Sequence, residues 1–338
     1  MDAIFLQILN GLDKGAAYAL IALGLTLVFG TLGIVNFAHG ALFMLGAFCA
    51  VAFNKMLLIS TKVEDTTVTL FKAYKETPYL EIWFPDVGPV LIDYSVPLSV
   101  LLAIPLMILI GLALERGLIK YFYSRPHAEQ ILVTFGLAIV VQEIVRVAFG
   151  ANPIPQGAPE IFAGSADVGL WVGLGKNVVY PWWRLVYIAF TAVIITGVFS
   201  FLQFTTYGMV VRAGMRDREM VGMLGINIGK RFTVVFALAT VVAGLAGVMY
   251  TPILPPDYQM GMDFLVLSFV VVVVGGMGSL GGAVLAGFLL GIVQSFASMN
   301  EVKDILPGID QIVIYLVAVI ILLVLPRGLL GRTGVMDD

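Results

Sequence analysis

Long apolar runs alternate with short polar stretches along most of the chain. Nine runs stand out, near residues 15–35, 40–54, 96–115, 130–149, 183–203, 232–253, 264–275, 282–299 and 310–326. Runs of about 20 apolar residues have the length of a helix that crosses a bilayer. Because lipid offers backbone amides no hydrogen-bond partner, such spans must be helical. The pattern predicts an all-α polytopic membrane protein with about eight or nine transmembrane helices, including broken or re-entrant segments.

Composition agrees with this class. The chain is 60% hydrophobic and 12% charged, whereas a soluble domain carries about 25% charged residues. Its one cysteine, Cys49, excludes an intrachain disulfide framework. The net charge of −3 gives no reason to expect a nucleic-acid partner. No pattern indicates a cofactor, a metal site or a catalytic residue, so an enzyme is not expected.

Basic residues in short loops predict the orientation. Lysines and arginines concentrate in the loops 115–130 and 204–231 and in the tail after residue 326. These three regions fall on one side of the membrane by parity, and that side should be cytoplasmic. The segment 54–95 is then an outer insertion. It forms either a small cap or docking surface, or a loosely ordered loop.

The polar interval 204–231 carries five basic and two acidic residues between two apolar runs. Asp217 is a candidate helix N-cap, and Gly225 is a candidate residue just after the last turn. Helical spacing between them predicts one apolar face, formed by Met220, Val221, Met223 and Leu224. A helix this short needs a surface to lie against. That surface is either a groove on a soluble partner or the membrane itself.

Two apolar runs are interrupted by glycine-rich polar breaks. The first lies within residues 29–41 and contains Gly33-Ile-Val-Asn36-Phe-Ala-His39-Gly40, and the second lies within residues 274–283 and reads Gly275-Gly276-Met-Gly278-Ser279-Leu-Gly281-Gly282 over 275–282. Interrupted segments near both ends of a chain indicate a substrate path in transporters. The alternative is a plain tight turn between two full spans. The candidate path residues are Asn36, His39, Gly40, Gly276, Gly278 and Ser279. His39 is either a hydrogen-bonded tether or a ligand-binding or proton-carrying group.

The source of energy is also constrained. The chain has no nucleotide-binding motif in a suitable setting, and its spans have no run of Asp, Glu or His to relay protons. A separate ATPase that engages the polar interval 204–231 would supply the drive. Ion coupling through backbone carbonyls, in a secondary transporter, and a passive channel are the alternatives.

These motifs resemble the LivH-type permeases of branched-chain amino acid ABC transporters. Besides both breaks, the resemblance rests on residues 18–24, 115–116, 125–126, 212–213, 224–227, 282–283 and 326–332. It covers almost all of the chain and implies a single transmembrane permease domain over residues 1–338. The insertion 54–95 is longer than the family leads one to expect.

The resemblance implies a coupling helix that enters a cleft on an ATPase. Its residues would be Arg216, Asp217, Arg218, Glu219, Met220, Met223, Leu224 and Gly225. The implied partners are a second permease subunit (LivM-like or a second copy), two ATP-binding subunits and a periplasmic substrate-binding protein. The implied location is the bacterial inner membrane, and the implied cargo is branched-chain amino acids. Urea or short amides are the alternative cargo of the same fold.

Overall fold

The computed structural model describes residues 2–64, 74–123, 125–171, 173, 178–216, 218–226 and 228–331. Its elements in chain order are α1 (Asp2–Leu32), α2 (His39–Leu57), β1 (Ser60–Glu64), β2 (Tyr74–Pro78), α3 (Tyr79–Trp83), α4 (Gly88–Asp93), α5 (Ser95–Gly117), α6 (His127–Phe149), β3 (Ser165–Asp167), β4 (Val179–Pro181), α7 (Trp182–Phe204), α8 (Thr206–Arg216), α9 (Arg218–Met223), α10 (Ile228–Tyr250), α11 (Met260–Gly275), α12 (Leu280–Ala297), α13 (Asn300–Lys303) and α14 (Ile309–Val324).

Seven helices in the described ranges are long and apolar enough to cross a membrane. They are α1, α2, α5, α6, α7, α10 and α12, and the shorter apolar helices α11 and α14 complete the set. Each of the nine predicted runs corresponds to one of these helices. The predicted all-α polytopic class and the approximate number of helices are confirmed.

Helix α1 forms the centre of the bundle, and its segment 16–28 is almost completely buried. It packs along α12 through small residues, since methyl groups added at Gly15 and Gly287 would meet backbone atoms of Phe288 and Ala19. Glycine at such positions lets two membrane helices approach closely. The helices α5, α6, α7 and α14 surround this centre and expose large apolar side chains, as lipid-facing helices do.

The segment 54–95 contains regular structure. Strands β1 and β2 form an antiparallel hairpin in which Lys62 lies opposite Glu76. The two short helices α3 and α4 follow and lead directly into α5. Residues 65–73 of this segment lie outside the described ranges. A second hairpin pairs β3 with β4 and buries Tyr180 against the first turns of α1.

Candidate translocation path and coupling surface

The first break turns back into the bundle. Helix α1 ends at Leu32 and α2 begins at His39, which is fully buried. A methyl group added at Gly24 would lie 2.5 Å from His39 Nε2 and 3.1 Å from the carbonyl oxygen of Ala239. Gly24 precedes the end of α1 by eight residues, or about 12 Å at 1.5 Å per residue. The segment 33–38 therefore runs back beside α1, and α2 starts level with the middle of α10.

Side chains hold this segment in place. The Asn36 side-chain oxygen accepts a hydrogen bond of 3.0 Å from the Ala38 amide. The Phe37 amide donates one of 3.0 Å to the hydroxyl of Thr134 on α6. The Asn36 side-chain nitrogen, by contrast, is buried and has no hydrogen-bond partner among the described residues.

The ring of His39 is similarly without a partner. It faces the Ile21 carbonyl, but neither ring nitrogen meets hydrogen-bonding geometry with a described residue. Buried polar groups without partners are uncommon in folded proteins. Polar groups inside a membrane bundle are candidates for contact with water or with a substrate group.

Two helices begin at this place. The first turn of α2 touches the first turn of α11, and a methyl group at Gly40 would collide with the Gly261 carbonyl. The Asp257 side chain accepts hydrogen bonds from the amides of Gln259 (2.7 Å) and Met260 (2.8 Å), so it caps the start of α11. The apolar pattern predicts a run over 264–275, so α11 begins four residues earlier than predicted, after an interruption that contains three prolines between residues 251 and 259.

The second break is a tight turn. Residues 276–279 join α11 to α12, with φ of 98° at Gly276 and 82° at Gly278. These are left-handed conformations that glycine adopts without strain. The Ser279 hydroxyl accepts a hydrogen bond of 3.2 Å from the Gly282 amide and caps α12. This break forms a tight turn, as in the turn alternative, but one of the two helices that it joins, α11, has 16 residues and is shorter than a full span.

The chain's C-terminal segment, residues 325–331, seals this turn. The Leu329 amide donates to the Val274 carbonyl at 2.8 Å, and the Leu330 amide donates to the Gly275 carbonyl at 3.1 Å. The last carbonyls of a helix have no partner within the helix itself. The tail segment supplies those partners, so the second break has a structural task that the sequence alone did not reveal.

The two breaks lie beside one another. A methyl group added at Gly278 would be 3.8 Å from the Cα of Gly30 on α1. An apolar recess adjoins both breaks and is lined by Leu25, Phe29, Val35, Phe269, Val272 and Met277. The structure thus brings both predicted breaks to one place. The lining of the recess is apolar, and it contains none of the six candidate path residues.

The predicted coupling helix is α9, and it is preceded by a second helix, α8. Met220, Met223 and Leu224 expose 54%, 75% and 73% of their surface. Val221, which the spacing predicts on the same face, is only 5% exposed, so the predicted face is not exposed at this position. Gly225 has a φ of 78°, the left-handed conformation expected just after the last turn.

Some residues of this prediction are only partly described. Asp217, the predicted N-cap, lies outside the described residues. Arg216, Arg218 and Glu219 are helical. Sequence reasoning missed α8, whose signal is an amphipathic pattern: Val211 is buried while Met209 is exposed.

The chain matches the family model described as "Branched-chain amino acid transport system / permease component" over residues 7–325. It belongs to this family. It is therefore a permease component of a branched-chain amino acid transport system and a multi-pass membrane protein. The predicted resemblance is confirmed.

Individual relatives agree with the family. The high-affinity branched-chain amino acid transport system permease protein BraD of Pseudomonas aeruginosa is 28% identical, over 97% of this chain and 96% of the relative. LivH of Escherichia coli is 26% identical over the same shares. The ribose import permease protein RbsC of Haemophilus influenzae is 23% identical over 67% of this chain and 69% of its own length. No solved structure matches.

Proposed function

We propose that this chain is the permease subunit of an ABC importer that carries branched-chain amino acids inward across the bacterial inner membrane. Separate ATP-binding subunits drive it, and the chain itself catalyses no reaction. The complete transporter holds a second permease subunit, two ATP-binding subunits and a periplasmic substrate-binding protein. The family match and the names of the relatives support the cargo.

The exposed apolar stripe of Met220, Met223 and Leu224 is the observation that carries the ATP-driven mechanism. A helix of six residues cannot persist in water through its own hydrogen bonds. Burial of each of these side chains in a groove is worth roughly 1.5–3 kcal/mol. An ATP-binding subunit that covers the stripe would stabilise the helix and move it during the ATP cycle.

The substrate path in this proposal follows the first break. Asn36 and His39 supply polar groups inside the bundle, Gly40 admits the start of α11, and the recess beside them is lined by apolar side chains. Gly276, Gly278 and Ser279 form the neighbouring turn. They would flank the path and keep α11 and α12 in register.

A pair of matched variants tests the coupling surface. Met223→Asp places a charge in the stripe, whereas Met56→Asp places the same charge at the far end of α2, where Met56 is 67% exposed. We expect Met223→Asp to weaken association with the ATP-binding subunits at least tenfold, roughly the loss of one buried side chain. ATP-dependent leucine uptake in vesicles should fall in parallel, while Met56→Asp should leave both unchanged.

Other results would redirect the proposal. Leucine uptake by this chain alone, without an ATP-binding subunit, would identify an ion-coupled carrier or a channel. ATP-driven uptake of urea without uptake of leucine would keep the importer and change its cargo.

A further inference from the structure

Asp263 carries an exposed carboxyl group in the first turn of α11, among residues that are otherwise apolar. Sequence reasoning did not single it out. A carboxylate is costly inside the hydrocarbon core of a bilayer, so the depth of Asp263 has to be established. The contacts of the neighbouring residues give this depth.

The depth follows from three contacts. His39 lies level with the middle of α10, a helix of 23 residues that spans the membrane. Gly261 contacts α2 between Gly40 and Met44, and Met44 is five residues beyond His39, or about 8 Å at 1.5 Å per residue. Phe264 packs its ring 4.6 Å from that of Phe43. Asp263, between Gly261 and Phe264, therefore lies within the hydrocarbon core, which extends about 15 Å to either side of its centre.

No cation compensates this charge within the described part of the chain. None of the ion pairs there includes Asp263. The charged group that acts on it is Asp257, which is also acidic. Arg146 lies near the same loop, but it pairs with Glu143 at 3.1 Å and stacks over the Tyr258 ring. Aspartate is also too short to extend its charge to the membrane surface as lysine and arginine do.

An uncompensated carboxylate at this depth cannot face lipid without a large penalty, and such groups line polar cavities in membrane proteins. We propose that Asp263 lines the aqueous translocation path and receives the ammonium group of the substrate. This inference rests on the proposed function and deepens it. A negative group with an acidic neighbour favours a cargo that carries a cation, as an amino acid does and urea does not. The aliphatic part would then meet the apolar recess further along α11.

A cysteine-accessibility experiment tests the inference on the complete transporter. Cys49→Ala removes the chain's one thiol, and Asp263→Cys then introduces a single thiol at the proposed site. The probes are two membrane-impermeant methanethiosulfonates, one with a sulfonate and one with a trimethylammonium group. The matched controls in the same background are Leu109→Cys, 64% exposed on the apolar helix α5, and Met56→Cys, 67% exposed at the end of α2.

We expect the Asp263→Cys thiol to react like the Met56→Cys thiol and on the order of tenfold faster than the Leu109→Cys thiol, since thiolate forms only in water. Modification with the sulfonate should restore leucine uptake, and modification with the ammonium reagent should abolish it. Without reagents, Asp263→Asn should raise the KM for uptake roughly tenfold, the loss of one charge-assisted contact. Asp263→Glu should retain uptake.

The outcomes separate the two proposals. If the transporter that retains Cys49 shows no ATP-driven leucine uptake, the proposed function fails. If the Cys49→Ala parent transports leucine but the Asp263→Cys thiol is unreactive, Asp263 does not line the path, and a buried contact with a partner subunit takes its place. If the thiol reacts but both reagents affect uptake equally, or if Asp263→Asn leaves the KM unchanged, the ammonium site is wrong.

Discussion

The two glycine-rich breaks look alike in the sequence and differ in the structure. The second break, residues 276–279, is a turn whose neighbouring carbonyls are paired with backbone amides of the C-terminal segment. The first break, residues 33–38, runs back through the bundle interior and is held by the side chains of Asn36 and Thr134. The second break is thus held by backbone hydrogen bonds, whereas the first contains polar side-chain atoms that have no hydrogen-bond partner among the described residues.

This difference suggests that the two breaks have different roles. A turn sealed by backbone hydrogen bonds is rigid, because several of these bonds would have to break together before the turn could change shape. A segment held by a few side-chain contacts costs less to rearrange, and buried atoms of Asn36 and His39 already lack partners in the described part of the chain. We expect the second break to support the fold and the first to serve transport.

The largest effect should come from removing the C-terminal seal. Ending the chain after Leu325 deletes the amides of Leu329 and Leu330, so the carbonyls of Val274 and Gly275 lose their partners. Each buried group left unpaired costs about 1–3 kcal/mol, so the expected loss is roughly 2–6 kcal/mol. Thermal unfolding in detergent, followed by size-exclusion chromatography, measures it.

The matched control ends the chain after Gly331 and so retains both hydrogen bonds. That variant should unfold at the temperature of the full chain. Equal unfolding temperatures for both truncations would show that the seal contributes nothing, and the contrast between the breaks would disappear.

A somewhat smaller effect is expected where α2 meets α11. Gly40→Ala places a methyl group against the Gly261 carbonyl and 2.6 Å from the Cβ of Leu265. Overpacking of this kind costs about 3 kcal/mol when backbone must move. Gly197→Ala in α7 is the control, because a methyl group there has no described atom within 4 Å. The control should be neutral or slightly stabilising, since alanine favours helix over glycine by up to about 1 kcal/mol.

Measuring leucine uptake by Gly40→Ala separates a role in transport from a role in packing. If the start of α2 belongs to the path, Gly40→Ala should lose leucine uptake even in the fraction that remains folded. A Gly40→Ala protein that is destabilised but transports normally per folded molecule would restrict Gly40 to packing.

The bundle itself could be predicted from the sequence because hydropathy determines which segments enter a membrane. All nine apolar runs form helices, and both breaks lie where the glycines indicate. Which break is a turn could not be predicted, since it depends on contacts between distant segments. His39, at the start of α2, packs against Gly24 in the interior of α1. The Leu329 amide, in the segment after α14, donates to the Val274 carbonyl near the end of α11.

The exposed face of α9 could also be predicted only in part from the sequence. Helical spacing predicts four apolar residues on one face, and three of them are exposed. Val221 is buried because α9 packs on α10 as well as projecting outward, and spacing alone cannot distinguish these two environments. Asp263 escapes prediction for a related reason: a lone acidic residue near a helix start is ordinary until its depth is known.

The smallest effect should come from the side chain that holds the first break. Thr134→Val preserves shape but removes the acceptor for the Phe37 amide, which leaves that donor unpaired. The expected loss is roughly 1–2 kcal/mol, near the lower end for a buried unpaired group. Thr233→Val is the control, because the Thr233 hydroxyl donates to the Gly229 carbonyl of its own helix. Uptake should fall more than stability for Thr134→Val, since a loosened segment 33–38 displaces Asn36 and His39. A Thr134→Val protein that loses stability but transports as well as the control would show that the first break, like the second, only supports the fold.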